Sequence, residues 1–237
     1  MQSSIIISNE LAHYKENELI FASNLYKTKL NNKISQVAFY KTLERMCKSG
    51  KLVKIAKGTY HLPKVSKYGI VPPSENEIVS SFINNGRGTI IGYSLYNSFN
   101  LTTQISKNIE IMSSTLDNFT KKIRNIIIHK VQIDFTSDVT NLINGMEVLQ
   151  NYYNIQDLNY NAFLIFTKKL SEQYNEEVFN KVISTINYKK STIAFLREIL
   201  NYYGKPNNLD LYLSGLSEYK HPKMEDIYEI ARTSRSV

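Results

Sequence analysis

Asp210, followed by Glu218-Tyr219-Lys220, is the arrangement in this 237-residue chain nearest to the carboxylates and lysine of a metal-dependent nuclease. Those groups fall in a stretch bounded by Gly, Ser and Pro, whereas precise metal sites are built on strands or helices, so no nuclease centre is expected there. Gly86, Gly88 and Gly92 resemble the glycines of a phosphate loop, yet they precede the apolar strand expected at 89–92 instead of linking a strand to a helix. His13, His61, His129 and His221 lack metal-ligand spacing, and Cys47 is the single cysteine, which excludes an internal disulfide. It lies near the edge of an apolar stripe and reads as a small core filler. No Ser/His/Asp set, P-loop or Gly-Ser with paired aspartates is present. The expectation is therefore no catalytic residue, no metal and no cofactor.

What the chain does concentrate is positive charge. Its formal net charge is +8, but residues 27–67 hold Lys27, Lys29, Lys33, Lys41, Arg45, Lys48, Lys51, Lys54, Lys57, Lys64 and Lys67 against the single acid Glu44, a local +10 that leaves −2 for the remainder. An excess confined to about forty residues is the footprint of a polyanionic partner, although a solvated lysine face would look the same by charge alone.

The elements that would position these side chains separate the two readings. A first helix is expected around Ser8 to Lys15, then a short strand from Glu18 to Ala22, with Ser23 as N-cap of a helix over Asn24 to Leu30. Asn31-Asn32 supply a turn, and Ser35 opens a helix that runs to Ser49 and stops at Gly50. Phe39, Leu43 and Met46 recur at helical spacing, leaving Gln36, Tyr40, Lys41, Glu44, Arg45 and Lys48 largely on the outer side. Leu52 to Ile55 and Thr59 to Leu62 flank Lys57-Gly58 as a β-hairpin carrying Lys51, Lys54 and Lys57. The order helix, strand, helix, helix, hairpin predicts a winged helix-turn-helix over residues 1–66, with the second helix in the DNA major groove and the hairpin along the phosphates. Candidate DNA contacts are Gln36, Tyr40, Lys41, Arg45, Lys48, Lys51, Lys54 and Lys57. Of these, Gln36, Lys41 and Arg45 have side chains that match purine edges.

Residues 63–74, ending in Pro72-Pro73, read as a connector, and Ser74 with Glu77 forms a capping box for a helix through Asn84. A second domain, 74–237, is expected to begin with a mixed αβ core over 74–135. Its strands lie at Thr89 to Gly92, Ile109 to Met112 and Ile126 to Val131, with a helix at Ser94 to Phe99. The periodicity over 138–237 is helical, at Asn141 to Tyr153, Asn159 to Tyr174, Glu176 to Ile186, Ser191 to Tyr203 and Lys223 to Arg232. The fold class is thus α+β. Basic clusters stand at Lys121, Lys122 and Arg124, at Lys168 and Lys169, and at Lys189 and Lys190, and an acidic protein surface or an RNA is the partner they would suit. The opening MQSSIIIS lacks the basic leader and cleavage site of a secretory signal, and no run approaches a membrane span, so a cytoplasmic protein with no membrane partner is expected.

Three stretches resemble the antitoxins of AbiE abortive-infection systems. They are Lys57-Gly-Thr-Tyr60, the connector Gly69-Ile-Val-Pro-Pro-Ser-Glu75 with its helix, and Gly92-Tyr-Ser-Leu-Tyr-Asn-Ser-Phe-Asn-Leu-Thr-Thr-Gln-Ile105, within a span of about residues 20–130. The resemblance implies a non-enzymatic autorepressor that binds double-stranded DNA at its own promoter, on inverted repeats, and counters a nucleotidyltransferase-like toxin encoded in the same operon. The residues Ile55-Ala-Lys-Gly58 depart from the arginine that often precedes the glycine in such wings, leaving fewer forked phosphate contacts. Alternatives from the residues themselves are a plain regulator whose second domain binds a ligand or oligomerises, and a DNA-targeted nuclease.

Overall fold

The first helix, α1 (Gln2–Leu11), starts well ahead of the expected Ser8, because Ile7 and Leu11, one turn apart, are the side chains it buries. In this computed structural model residues 2–116 and 120–233 are described, and they form a mixed α+β architecture. β1 (Leu19–Phe21) passes directly into α2 (Ala22–Leu25). Phe21 occupies the N-cap without a side-chain bond and Ser23 lies inside the helix, so the capping role expected of Ser23 is not realised. A π-helical turn, Tyr26–Leu30, replaces the rest of the predicted helix. α3 (Gln36–Lys48) begins as expected, with the Ser35 Oγ accepting from the Ala38 N–H at 3.3 Å, and ends before Gly50 at φ +73°.

β2 (Val53–Ala56) and β3 (Thr59–His61) turn through Gly58 at φ +69°, and β3 also pairs antiparallel with β1, giving a sheet ordered β1-β3-β2. Leu19 faces His61, Ile20 faces Tyr60 and Phe21 faces Thr59. The 63–74 connector contains a second hairpin, β4 (Lys64–Ser66) with β5 (Gly69–Val71), exposed along its length. With both faces exposed, it leaves no alternation to read in the sequence. α4 (Glu75–Ile83) starts on the predicted capping box: the Ser74 N–H donates to the Glu77 carboxylate at 2.7 Å, and the Glu77 N–H donates to the Ser74 Oγ at 3.2 Å.

Further on come β6 (Gly88–Ile91), α5 (Gly92–Ser98), β7 (Ile109–Ser113), β8 (Thr120–Ile123) and β9 (Ile126–Lys130). They form a sheet ordered β6-β7-β9-β8. β8 was not expected, since Thr-Lys-Lys-Ile offers one apolar side chain. The helices that follow are α6 (Ser137–Gln150), α7 (Tyr160–Glu172), α8 (Glu176–Ile183), α9 (Lys190–Tyr202) and α10 (Met224–Thr233). Thr136, Asn159 and Asn175 cap α6, α7 and α8 through their side chains. Thr136 explains why α6 begins four residues before the expected Asn141.

Among the described residues there are two compact units. One runs to Phe82 and includes Lys122–Ile126; the other takes up from Ile83 without that segment. The division thus falls beyond the proline pair, not at 74. Phe82 is fully buried with its ring centroid 5.1 Å from that of Phe21, and the Arg124 guanidinium donates to the Pro73 carbonyl at 2.7 Å, which ties both segments to the first unit. That unit's core is built on Ile7, Leu25, Phe39, Leu43 and Met46. The second unit's core centres on Phe163, Phe166, Phe179 and Phe195 with the apolar face of α6. No helix of the described residues is long and apolar enough to cross a membrane.

Since Phe82 is the largest of the three side chains that α4 buries, beside Ile78 and Val79, Phe82→Ala is expected to cost roughly 3–5 kcal/mol in urea denaturation. A loss under about 1 kcal/mol, the scale of an ordinary surface change, would mean that α4 does not complete the first core.

Candidate nucleic-acid interface

With about 100° between successive residues, Phe39, Thr42, Leu43 and Met46 share one side of α3 and are buried. The opposite, exposed arc is centred on Val37, Lys41, Glu44 and Lys48, with Gln36 and Tyr40 on one flank and Arg45 on the other. All five candidates on this helix therefore face outward. Tyr40 is the least free of them, since its ring packs edge-on against Phe39 at 5.1 Å. Val37, 66% exposed, was not singled out from sequence; an apolar residue out of phase with the buried stripe was the available signal. Glu44 sits mid-arc and its carboxylate meets the Lys48 ammonium at 2.9 Å. That hydrogen bond and charge hold the Glu44 carboxyl below the usual range. Lys48 is in consequence partly neutralised.

Lys51, Lys54 and Lys57 are exposed around the β2–β3 hairpin, whose register slips between Lys54 and Ala56. Such a bulge increases the local twist of the ribbon. β3 is the middle strand and is buried throughout, so the hairpin's cationic groups come from β2 and its two ends. Lys33 is withdrawn from the cationic set by Glu10, whose carboxylate lies 2.8 Å away. What remains is an array of ammonium and guanidinium groups on α3 and on the hairpin that follows it, able to neutralise successive phosphates.

The basic clusters outside residues 27–67 sort differently. Lys168 and Lys169 are exposed on α7, and Lys122 is exposed on β8 with Lys121 half-buried beside it. Arg124 is spent on Pro73, and the Lys190 Nζ donates to the Tyr212 carbonyl at 2.7 Å. Lys189 keeps an exposed side chain. The acids of the nuclease-like match do not converge: Asp210 is ion-paired with Arg197, and among the described residues no three His, Cys, Asp or Glu side chains could hold a metal.

A buried acid in the second unit escaped sequence reading. Glu147, in the apolar run Met146-Glu147-Val148-Leu149 of α6, is 7% exposed, and its Oε1 accepts from the Tyr96 hydroxyl at 3.3 Å and the Asn151 Nδ2 at 2.9 Å. Burial pushes its carboxyl up; the Tyr96 hydrogen bond and the Gly92 N–H act downward, while the nearby Glu110 carboxylate pushes it up further. Tyr96 is likewise pushed up, by burial first and then by Glu147. The Glu110 Oε2 lies 3.4 Å from the His129 Nε2.

The motif from Gly92 to Ile105 is occupied with the same packing. Gly92 adopts φ +66°, where a side chain would be strained, and α5 starts there. The Tyr93 hydroxyl donates to the Asn154 carbonyl at 3.1 Å, the Thr102 hydroxyl to the Gln156 carbonyl at 2.6 Å, and the Asn159 N–H to the Leu101 carbonyl at 2.8 Å. The motif thus fastens α5 and its loop to the segment between α6 and α7.

A family of unknown function, DUF6088, matches residues 7–159, and the chain belongs to that family. No curated protein matches the chain. The crystal structure of the RV2827C protein from Mycobacterium tuberculosis is similar over 94% of this chain and 84% of that one, at 11% identity and a TM-score of 0.39.

Because the folded state holds Glu147 protonated above the pH at which an unfolded carboxyl ionises, its contribution to stability is complete below about pH 4.5 and is lost as pH rises through the elevated value. Glu147→Gln removes that loss. Its melting temperature is expected to exceed the parent's at pH 8 by about 2–4 °C, the shift for roughly 1 kcal/mol in a chain of this size. The two should converge near pH 4.5. A destabilisation at pH 8 that shrinks toward pH 4.5 would show instead a charged carboxylate that helps the fold.

Proposed function

We propose that the protein is a winged helix-turn-helix autorepressor and the antitoxin of an AbiE-type operon, acting against a nucleotidyltransferase-like toxin encoded beside it. The observation that carries the DNA-binding half is the outward arc of α3, with Lys41, Arg45 and Lys48, followed at once by a hairpin bearing Lys51, Lys54 and Lys57. In this reading α3 enters the major groove, where Gln36, Lys41 and Arg45 address purine edges and the Val37 methyls meet a thymine methyl. The hairpin lysines lie on phosphates, which position the protein without reading sequence. The antitoxin half rests on the resemblance of residues 57–60, 69–75 and 92–105, and the exposed Lys122, Lys168, Lys169 and Lys189 are the groups offered to the toxin. The chain works in the cytoplasm without a cofactor, and its task is binding rather than catalysis.

On duplex DNA from upstream of its own gene, about four to six phosphate contacts should give a slope of log affinity against log salt of roughly −4 to −5. No gel shift at low salt would overturn the repressor reading. Lys41→Ala and Arg45→Ala should lose affinity for the operator selectively, whereas Lys54→Ala and Lys57→Ala should weaken operator and scrambled duplex alike. Equal losses on both duplexes for the α3 variants would remove the base-reading role from that arc. Glu44→Gln, which frees Lys48, should tighten all duplex binding and steepen the slope by about one unit. The antitoxin half is tested by expressing the toxin from an unrelated promoter beside a Lys54→Ala/Lys57→Ala chain. Continued growth supports neutralisation apart from DNA binding, and arrest assigns protection to repression.

A further inference from the structure

The second unit holds a cavity of about 310 Å³ at the N-terminus of α9, formed in part by Lys189, Ser191, Thr192, Lys220, His221 and Tyr153. Its lining contains no acidic side chain among the described residues. α9 is thirteen residues long, and its N-cap, Lys189, makes no side-chain capping bond. The N–H groups of Lys190 and Ser191, in the first turn, have no partner among the described residues, and the helix dipole adds partial positive charge at that end. An independent observation points the same way: Thr192 is only 3% exposed, it lines the cavity, and its hydroxyl makes no hydrogen bond among the described residues. That hydroxyl is not among the oxygens sealed from solvent without a partner, so it is reached from the cavity and is open to an acceptor placed there.

We propose that this cavity is a binding site for a phosphate dianion, either free or carried as a phosphomonoester on a small ligand. The tetrahedral oxygens accept from the first N–H groups of α9 and from the Thr192 and Ser191 hydroxyls, as anions do at helix N-termini. Lys189 and Lys220 supply the two positive charges that match a dianion, and charge-assisted bonds of this kind are short and strong. The Lys220 Nζ stands 5.8 Å from the centroid of the Tyr153 ring, which is 62% exposed. That ring borders the cavity and offers a flat apolar wall to the body of a phosphorylated ligand. His221 is fixed beside it, with its ring stacked on Phe195 at 6.0 Å and its Nδ1 at 3.0 Å from the Pro222 carbonyl, so Nε2 is the nitrogen left for a ligand. The adjacent Lys190 takes no part, because its ammonium is bonded to the Tyr212 carbonyl.

The test is calorimetric titration of the full chain with inorganic phosphate, with uridine 5′-monophosphate and with uridine. Both phosphate compounds should bind with millimolar or tighter dissociation constants and uridine should not; their relative affinities tell which source the site prefers. Thr192→Val, which keeps the shape and removes the hydroxyl, should weaken phosphate binding roughly tenfold. Lys189→Gln and Lys220→Gln should each weaken it several-fold, and Lys190→Gln and the first-unit Lys54→Gln should leave it unchanged. If Thr192→Val proves unfolded in its thermal melt, the four lysine variants decide. The proposal is overturned if phosphate does not bind at millimolar concentration, if uridine binds as well as its monophosphate, if a folded Thr192→Val binds normally, or if Lys190→Gln or Lys54→Gln costs as much as Lys189→Gln.

Discussion

Burial of Phe39, Leu43 and Met46 sets the rotation of α3 about its own axis, and what the first unit presents to its surroundings follows from that angle. Once those three side chains are inside, Lys41, Glu44 and Lys48 have no choice but to project outward, since they lie on the opposite side of a 3.6-residue repeat. The same core fixes the hairpin. β3 is held between β1 and β2 with Thr59, Tyr60 and His61 all buried, so charge is carried by β2 and by the turn at Lys57-Gly58. Apolar packing is therefore the origin of the cationic display, which no ion pair had to organise.

Formal charge overstates what is available at such a surface. Lys33 and Lys48 each meet a carboxylate at 2.8–2.9 Å, Arg124 donates to the Pro73 carbonyl, and Lys190 donates to the Tyr212 carbonyl. An exposed pair adds little to stability, but it does change which cations can replace counterions around a polyanion. Among the described residues Lys41, Lys51, Lys54 and Lys57 have no such carboxylate partner, and all four lie between residues 41 and 57. The opposite problem arises at Glu147. There an acid enters an apolar interior whose burial favours its neutral form, and Tyr96, Asn151 and the Gly92 N–H meet its oxygens.

Much of this was legible in the sequence where a local rule dominates. Ser35, the Ser74/Glu77 box, Asn159 and the glycines at 50 and 58 mark element ends through hydrogen bonds or φ values that depend on a few neighbouring residues. The outward arc of α3 was legible for the same reason, because one helical period decides it. Elements whose reasons are nonlocal were missed. β8 has one apolar residue in four and exists because β9 is there to pair with it. β4 and β5 expose both faces and so leave no alternation to read. Ser23 satisfies the rule for a cap but is overridden by the strand that runs into α2. Glu147 looks like a solvated helix residue until Tyr96, fifty-one positions earlier, is brought against it.

The limits of the family match can be read in the same physical terms. The matched span, 7–159, covers the first unit from Ile7 onward, all four strands of the β6-β7-β9-β8 sheet and α6. It ends at Asn159, whose N–H closes on Leu101 while its side chain caps α7. The bonds donated by the Tyr93 and Thr102 hydroxyls and the one accepted by the Leu101 carbonyl all join residues 154–159, so the matched segment contains both ends of the network that orders its characteristic motif. The helices beyond it contribute Phe163, Phe166, Phe179 and Phe195 to the core, a task that many apolar sequences can perform if volume is kept. The cavity at α9 is different. Tyr153 comes from within the matched span, whereas Lys189, Thr192 and Lys220 come from beyond it. The cavity is thus assembled across that border, and the three polar groups named here come from beyond the matched span, at positions that packing alone does not require.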